Sequence, residues 1–80
     1  MDRRFFKVMK EHQFLNDTSI YYAVLGKTSD PLYVVVIEDG NDISRATYSS
    51  FDSLSARQKY QAWYDILAKN KGELNEKDFS

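Results

Sequence analysis

Leu32, Val34 and Val36 alternate with Tyr33, Val35 and Ile37, so both sides of one six-residue run are apolar. That pattern belongs to a central strand covered on both faces. Pro31 has no N–H and holds Asp30 extended, which marks where the strand begins. Upstream, residues 20–25 read Ile-Tyr-Tyr-Ala-Val-Leu, β-branched and aromatic, and predict another strand. Downstream, Glu38-Asp39-Gly40-Asn41-Asp42 predicts a hairpin turn, because glycine after aspartate accepts φ > 0. Residues 43–49 predict a third strand, with Ala46 and Tyr48 on one face and Arg45 and Thr47 on the other. Its polarity suits an edge, where the Arg45 charge opposes edge-to-edge association.

Helical spacing occurs twice. In residues 2–15, Phe5, Val8, Met9 and His12 recur on one side, and Arg3, Lys7 and Lys10 fall on another. Asp2 suits the positive end of a helix dipole. A strand over residues 4–9 competes, since Phe-Phe-Lys-Val also suits a pleat. Asn16-Asp17-Thr18-Ser19 is a cluster of turn formers that ends the element. Over about 55–70, Ala56, Tyr60, Trp63 and Leu67 repeat at i, i+4, i+7 and i+11, with Tyr64 and Ile66 beside the stripe. Ser55 with Gln58 forms a capping-box pattern, and Gly72 supplies a left-handed stop. Residues 73–80 are charged and aperiodic; they predict a frayed tail from which Leu74 and Phe79 are able to dock.

The expected fold is therefore α+β: a three-stranded antiparallel meander packed by a C-terminal helix, with an N-terminal helix (α-β-β-β-α). One domain spans residues 1–72. Were both helices on one face, the other would expose Tyr21, Tyr33, Val35 and Ile37 and would need a partner.

Composition narrows the chemistry. A chain of 80 residues is one small domain of marginal stability, and six Tyr, five Phe and one Trp supply much of its core. With no cysteine, disulfides and thiol-based zinc or redox chemistry are excluded. The longest apolar run falls far short of the ~20 residues that span a bilayer. No apolar segment of the signal-peptide kind follows the first charges, so a cytoplasmic protein is expected. His12 with Glu11 or Asp17 makes a poor metal site. Ser19, Ser44, Ser49, Ser50, Ser53 and Ser55 fit turns, edges and caps rather than a nucleophile elbow. Glu38, Asp39 and Asp42 lack the spacing of a calcium loop. The expectation is no enzyme, no cofactor and no metal.

Charge is uneven. Residues 1–10 carry a net +3, residues 11–52 a net −5 and residues 53–80 a net +1. In outline, three strands and a helix over Tyr21 to about Ala68 resemble the arm-type DNA-binding domains of phage integrases and the plant AP2 domain. Those families read DNA with basic and aromatic strand residues, and here Arg45 is the one basic residue inside a strand. Phosphate contacts draw affinity from Lys and Arg, so the acidic sheet points to protein instead. On that reading Glu38, Asp39 and Asp42 meet a basic surface of a partner, and Tyr21, Tyr33 and Tyr48 serve as anchors. The alternative for each tyrosine is a half-buried sheet residue with a wet hydroxyl. The leading expectation is a non-enzymatic protein-binding module that occludes a surface. It looks like the small accessory proteins of phages and mobile elements, anti-CRISPR-type inhibitors among them. The alternatives are a nucleic-acid-associated protein using Arg3, Arg4, Lys7 and Lys10, and a homodimeric structural protein.

Overall fold

The stretch expected to open the chain as a helix is a strand. The computed structural model describes residues 7–28 and 32–79, and its first element is β1, Lys7–Leu15. It is followed by β2 (Ile20–Lys27), β3 (Tyr33–Asp39), β4 (Ser44–Ser50), α1 (Ser53–Lys69) and a 3-10 turn, Glu76–Phe79. The strands form one antiparallel meander in the order β1-β2-β3-β4. The three-stranded sheet with an N-terminal helix is thereby corrected to four strands, and among the described residues no helix precedes α1. The rest of the expected helix, including Asp2 and Phe5, lies outside the described residues, as do residues 4–6 of the competing strand.

The physical reason lies in β2. Ala23, Val24 and Leu25 are fully buried, so β2 needs a hydrogen-bonded neighbour on each side and cover on both faces. β1 supplies the second neighbour: His12 stands opposite Ala23 and Phe14 opposite Tyr21. Val8 and Met9, the apparent helical stripe, stay more than a third exposed. Asn16 to Ser19 is then no terminator but the β1–β2 turn, closed by the Asn16 N–H donating to the Ser19 carbonyl at 3.1 Å.

Both edge strands are bulged. Met9 has no partner on β2, and Arg45 has none on β3. Bulges and edge charges blunt an open edge.

α1 begins two residues earlier than the sequence suggests. Its cap is Asp52, whose carboxylate accepts from the Leu54 N–H at 3.2 Å, the Ser55 N–H at 3.3 Å and the Ser55 hydroxyl at 2.7 Å. Those bonds, the Ser55 hydroxyl first and then the Leu54 N–H, hold the Asp52 pKa below its ordinary value. The helix ends with Lys71 and Gly72 both at positive φ, and the Gly72 N–H donates to the Leu67 carbonyl at 2.8 Å.

The helix lays Ala56, Tyr60, Trp63 and Leu67 on one sheet face, as their spacing implies. That face is made of Ala23, Leu25, Val35 and Ile37, with Phe14 and Tyr33 beside them. Tyr33, Val35 and Ile37 thus belong to the covered face, not to a surface awaiting a partner. Val24, Val34, Val36 and Glu38 point to the other face and are buried as well. The segment after Gly72 is not frayed: Phe79 is 9% exposed, and its ring stands 5.5 Å from that of Trp63.

Candidate functional site

The acidic hairpin assigns its three carboxylates different roles. Glu38 is 1% exposed, opposite Tyr22 and Ser44 in the ladder, because it continues the buried Val34 and Val36 face of β3. Asp39 builds the turn. Its Oδ1 accepts from the Asn41 N–H at 2.9 Å and the Ile43 N–H at 3.1 Å, and its Oδ2 lies 3.7 Å from the Arg45 guanidinium. Asp42 is the exposed one, and it carries the positive φ of the turn, 61°. Gly40 does not: a Cβ there would meet the Ile20 Cβ at an ordinary 3.6 Å. The Asp-Gly signal marks the turn correctly, but the left-handed residue is the aspartate two places on. Of the three carboxylates, then, Glu38 is closed to a partner and Asp39 is held within the fold.

A second turn stands beside the first. Asn16 Oδ1 accepts from the Thr18 and Ser19 N–H groups, both at 2.8 Å, and from both hydroxyls. This is an Asx-type turn, in which a side chain stands in for backbone. Between the two turns lies an open cleft of about 610 Å³, lined by residues 15–21 and 39–41. Asp17 and Asp39 are both in that lining, and among the described residues no lysine or arginine is. Leu15, at its rim, is 68% exposed. The cleft has mixed character: apolar Leu15 and Ile20, the Tyr21 ring, and carboxylates, hydroxyls and amides around them.

Of the residues expected to bind protein, the cleft brings together Tyr21 and Asp39. The other two tyrosines are half-buried. Tyr33 lies under Lys27 Nζ at 5.5 Å and Tyr48 under Lys59 Nζ at 5.1 Å, which are cation–π placements. Lys7 and Lys10 are exposed on β1, opposite Lys27 and Leu25. Arg3 and Arg4 lie outside the described residues. Reading the sequence misses Leu15, Asp17 and Thr18, because Asn16 to Ser19 reads as the end of a helix rather than as a hairpin; the four turn formers between two apolar stretches are the available signal.

His12 does packing work. Its ring centroid is 4.7 Å from Phe14 and 5.0 Å from Tyr64, edge to face in both cases. Tyr60 beside them has its pKa raised, first by burial and then by the charges of Tyr64 and Glu11. Among the described residues no three His, Asp or Glu side chains gather as a metal site, and no helix is long and apolar enough to cross a membrane. Compared with protein-family models, with curated proteins and with solved structures, the chain finds no match.

Proposed function

We propose that this chain is a small non-enzymatic binding module that acts by covering part of another protein's surface, and that the cleft between its two hairpin turns is where it docks. The observation that supports this most is the lining: the exposed Asp17 carboxylate next to a strongly exposed leucine, with Asp39 beside them already shared with Arg45. An apolar contact ringed by like charge fits a protein surface that presents lysine or arginine around an apolar spot. The same charge repels phosphate, which sets this reading against nucleic acid. Asp42, exposed on the neighbouring turn, adds to the field.

The test is a photo-crosslinking amino acid placed at Leu15, with a control at the exposed Arg57 on the outer side of α1. In host lysate the Leu15 probe should trap a discrete protein, and Asp17→Lys should lower the yield severalfold. Equal trapping from both positions, or adducts to nucleic acid at Leu15, would refute the assignment.

A further inference from the structure

Beyond that cleft, and without resting on it, we infer that residues 73–79 are a self-ligand: a detachable strap in a groove between α1 and β4 that accepts an aromatic side chain three residues after an acidic one. The strap's Phe79 places its ring edge-on to Trp63 at 5.5 Å. Its Glu76 reaches the Arg45 guanidinium at 3.0 Å. Arg45 is the extra residue of the β4 bulge, so the cation that receives Glu76 stands out from the ladder. Trp63 supplies the apolar wall of the groove, and Tyr48 and Leu74 pack against the same cluster. An apolar slot with a cation beside it has a defined complement, and the chain's own Glu76-Lys77-Asp78-Phe79 is one.

The strap is built to lift without unravelling. Two of its bonds close within it: the Asp78 N–H donates to the Asn75 carbonyl at 3.0 Å, and the Lys77 N–H to Asn75 Oδ1 at 3.2 Å. Open surface crevices flank it where it leaves the helix. Crevices of about 220 and 260 Å³, both lined by Asn70 and Asp78, open along it, and the Asn70 amide reaches Asp78 at a long 3.4 Å. A partner segment bearing the acidic-x-x-aromatic pattern would take the strap's place, and the domain would bind it where it now binds itself.

Two measurements on the full chain decide the matter. In native-state hydrogen exchange the Asp78 amide should exchange roughly 100-fold faster than that of Ile37, by an opening insensitive to low denaturant. In Phe79→Ala, emission from Trp63, the chain's one tryptophan, should shift to the red. A synthetic peptide of residues 73–80 should then reverse the shift saturably. The same peptide with Phe79 replaced by Ala should not, and Arg45→Ala in the protein should weaken the effect about threefold, as a lost exposed ion pair does. Exchange of Asp78 and Ile37 through one global opening would overturn the inference. So would a Phe79→Ala chain that cannot fold, or a peptide that acts equally well without its phenylalanine.

Discussion

The two flanks of α1 carry similar contacts on unlike supports. On the β1 side, His12, Phe14 and Tyr64 meet edge to face at 4.7–5.1 Å. On the β4 side, Trp63 meets Phe79 at 5.5 Å, and Lys59 Nζ caps Trp63 at 5.9 Å. Taken as ring pairs, the two are worth about the same, ~0.5–1.5 kcal/mol beyond area burial. The difference is what holds the outer ring. Phe14 sits in a nine-residue strand laddered to β2, whereas Phe79 sits in a four-residue turn outside the sheet. Moving Phe14 away means unzipping an edge strand, and moving Phe79 away means rotating a short segment. A contact's share of stability is capped by the cheapest motion that breaks it, so equal geometry does not imply equal importance.

The largest effects come from the rings themselves. Trp63→Ala should cost ~3–5 kcal/mol, because both the sheet face and the strap lose their common partner. Phe14→Ala should cost ~3 kcal/mol or more, and Phe79→Ala about half as much, since opening of the segment limits the loss. Urea denaturation of the three variants measures all of this. Equal losses for Phe14 and Phe79 would break the comparison, and a Trp63→Ala chain melting within a degree or two of the parent would show that the helix face is wrongly placed.

A smaller effect tests how the β4 flank is anchored. Asp39 holds the hairpin turn and also faces Arg45, the residue that receives Glu76. Asp39→Ala should cost ~1–2 kcal/mol by leaving two turn N–H groups without their acceptor. It should also speed exchange in residues 76–79 while leaving β1 unaffected. Asp42→Gly removes a left-handed strain at the same turn and should gain ~0.5–1 kcal/mol. The opposite ranking, with Asp42→Gly destabilising, would mean that the carboxylate outweighs the backbone there.

The smallest effect belongs to neither flank. Asp52 caps α1 from its exposed end, and its folded pKa lies below the ordinary carboxylate value. A depressed carboxylate pKa stabilises the fold above the unfolded value, and that help is lost as pH falls through the folded value. Asp52→Asn should therefore flatten the acid limb of a stability–pH curve, most visibly below about pH 4. Fraying from this end should register equally at Tyr60 and at Trp63. An unequal response would mean that one flank clamps the helix along its whole length.

Local pattern carried some of these features and not others. The apolar alternation of residues 32–37 places β3, and the Ala56, Tyr60, Trp63, Leu67 stripe places α1, because both signals repeat within a few residues. β1 defeats that method. Its Val8, Met9 and His12 spacing imitates a helix, and the case for a strand comes from β2, whose buried residues need a hydrogen-bonded neighbour five to twenty residues away along the chain. The cap was missed because Ser55 with Gln58 looks complete, while Asp52 acts through its own carboxylate. The hairpin was legible as a turn. The burial of Glu38 was not, because a carboxylate at the end of the Val34 and Val36 alternation reads as the polar start of the turn. Phe79 gave no periodic signal at all, since one ring at the end of a charged stretch repeats nothing.

The meander has a consequence for the chain during synthesis. Each strand pairs with the one made just before it, so the sheet is able to zip up hairpin by hairpin as it leaves the ribosome, with short loops to close. Its cover comes last. Leu25, Val35 and Ile37 emerge and are ready for burial before Trp63 and Leu67 have left the ribosome. For that interval the nascent protein shows a wet apolar sheet, the kind of surface that chaperones hold and that neighbouring chains adhere to. Delaying the emergence of Trp63 and Leu67 from the ribosome should therefore lower soluble yield, even though the finished domain is unchanged.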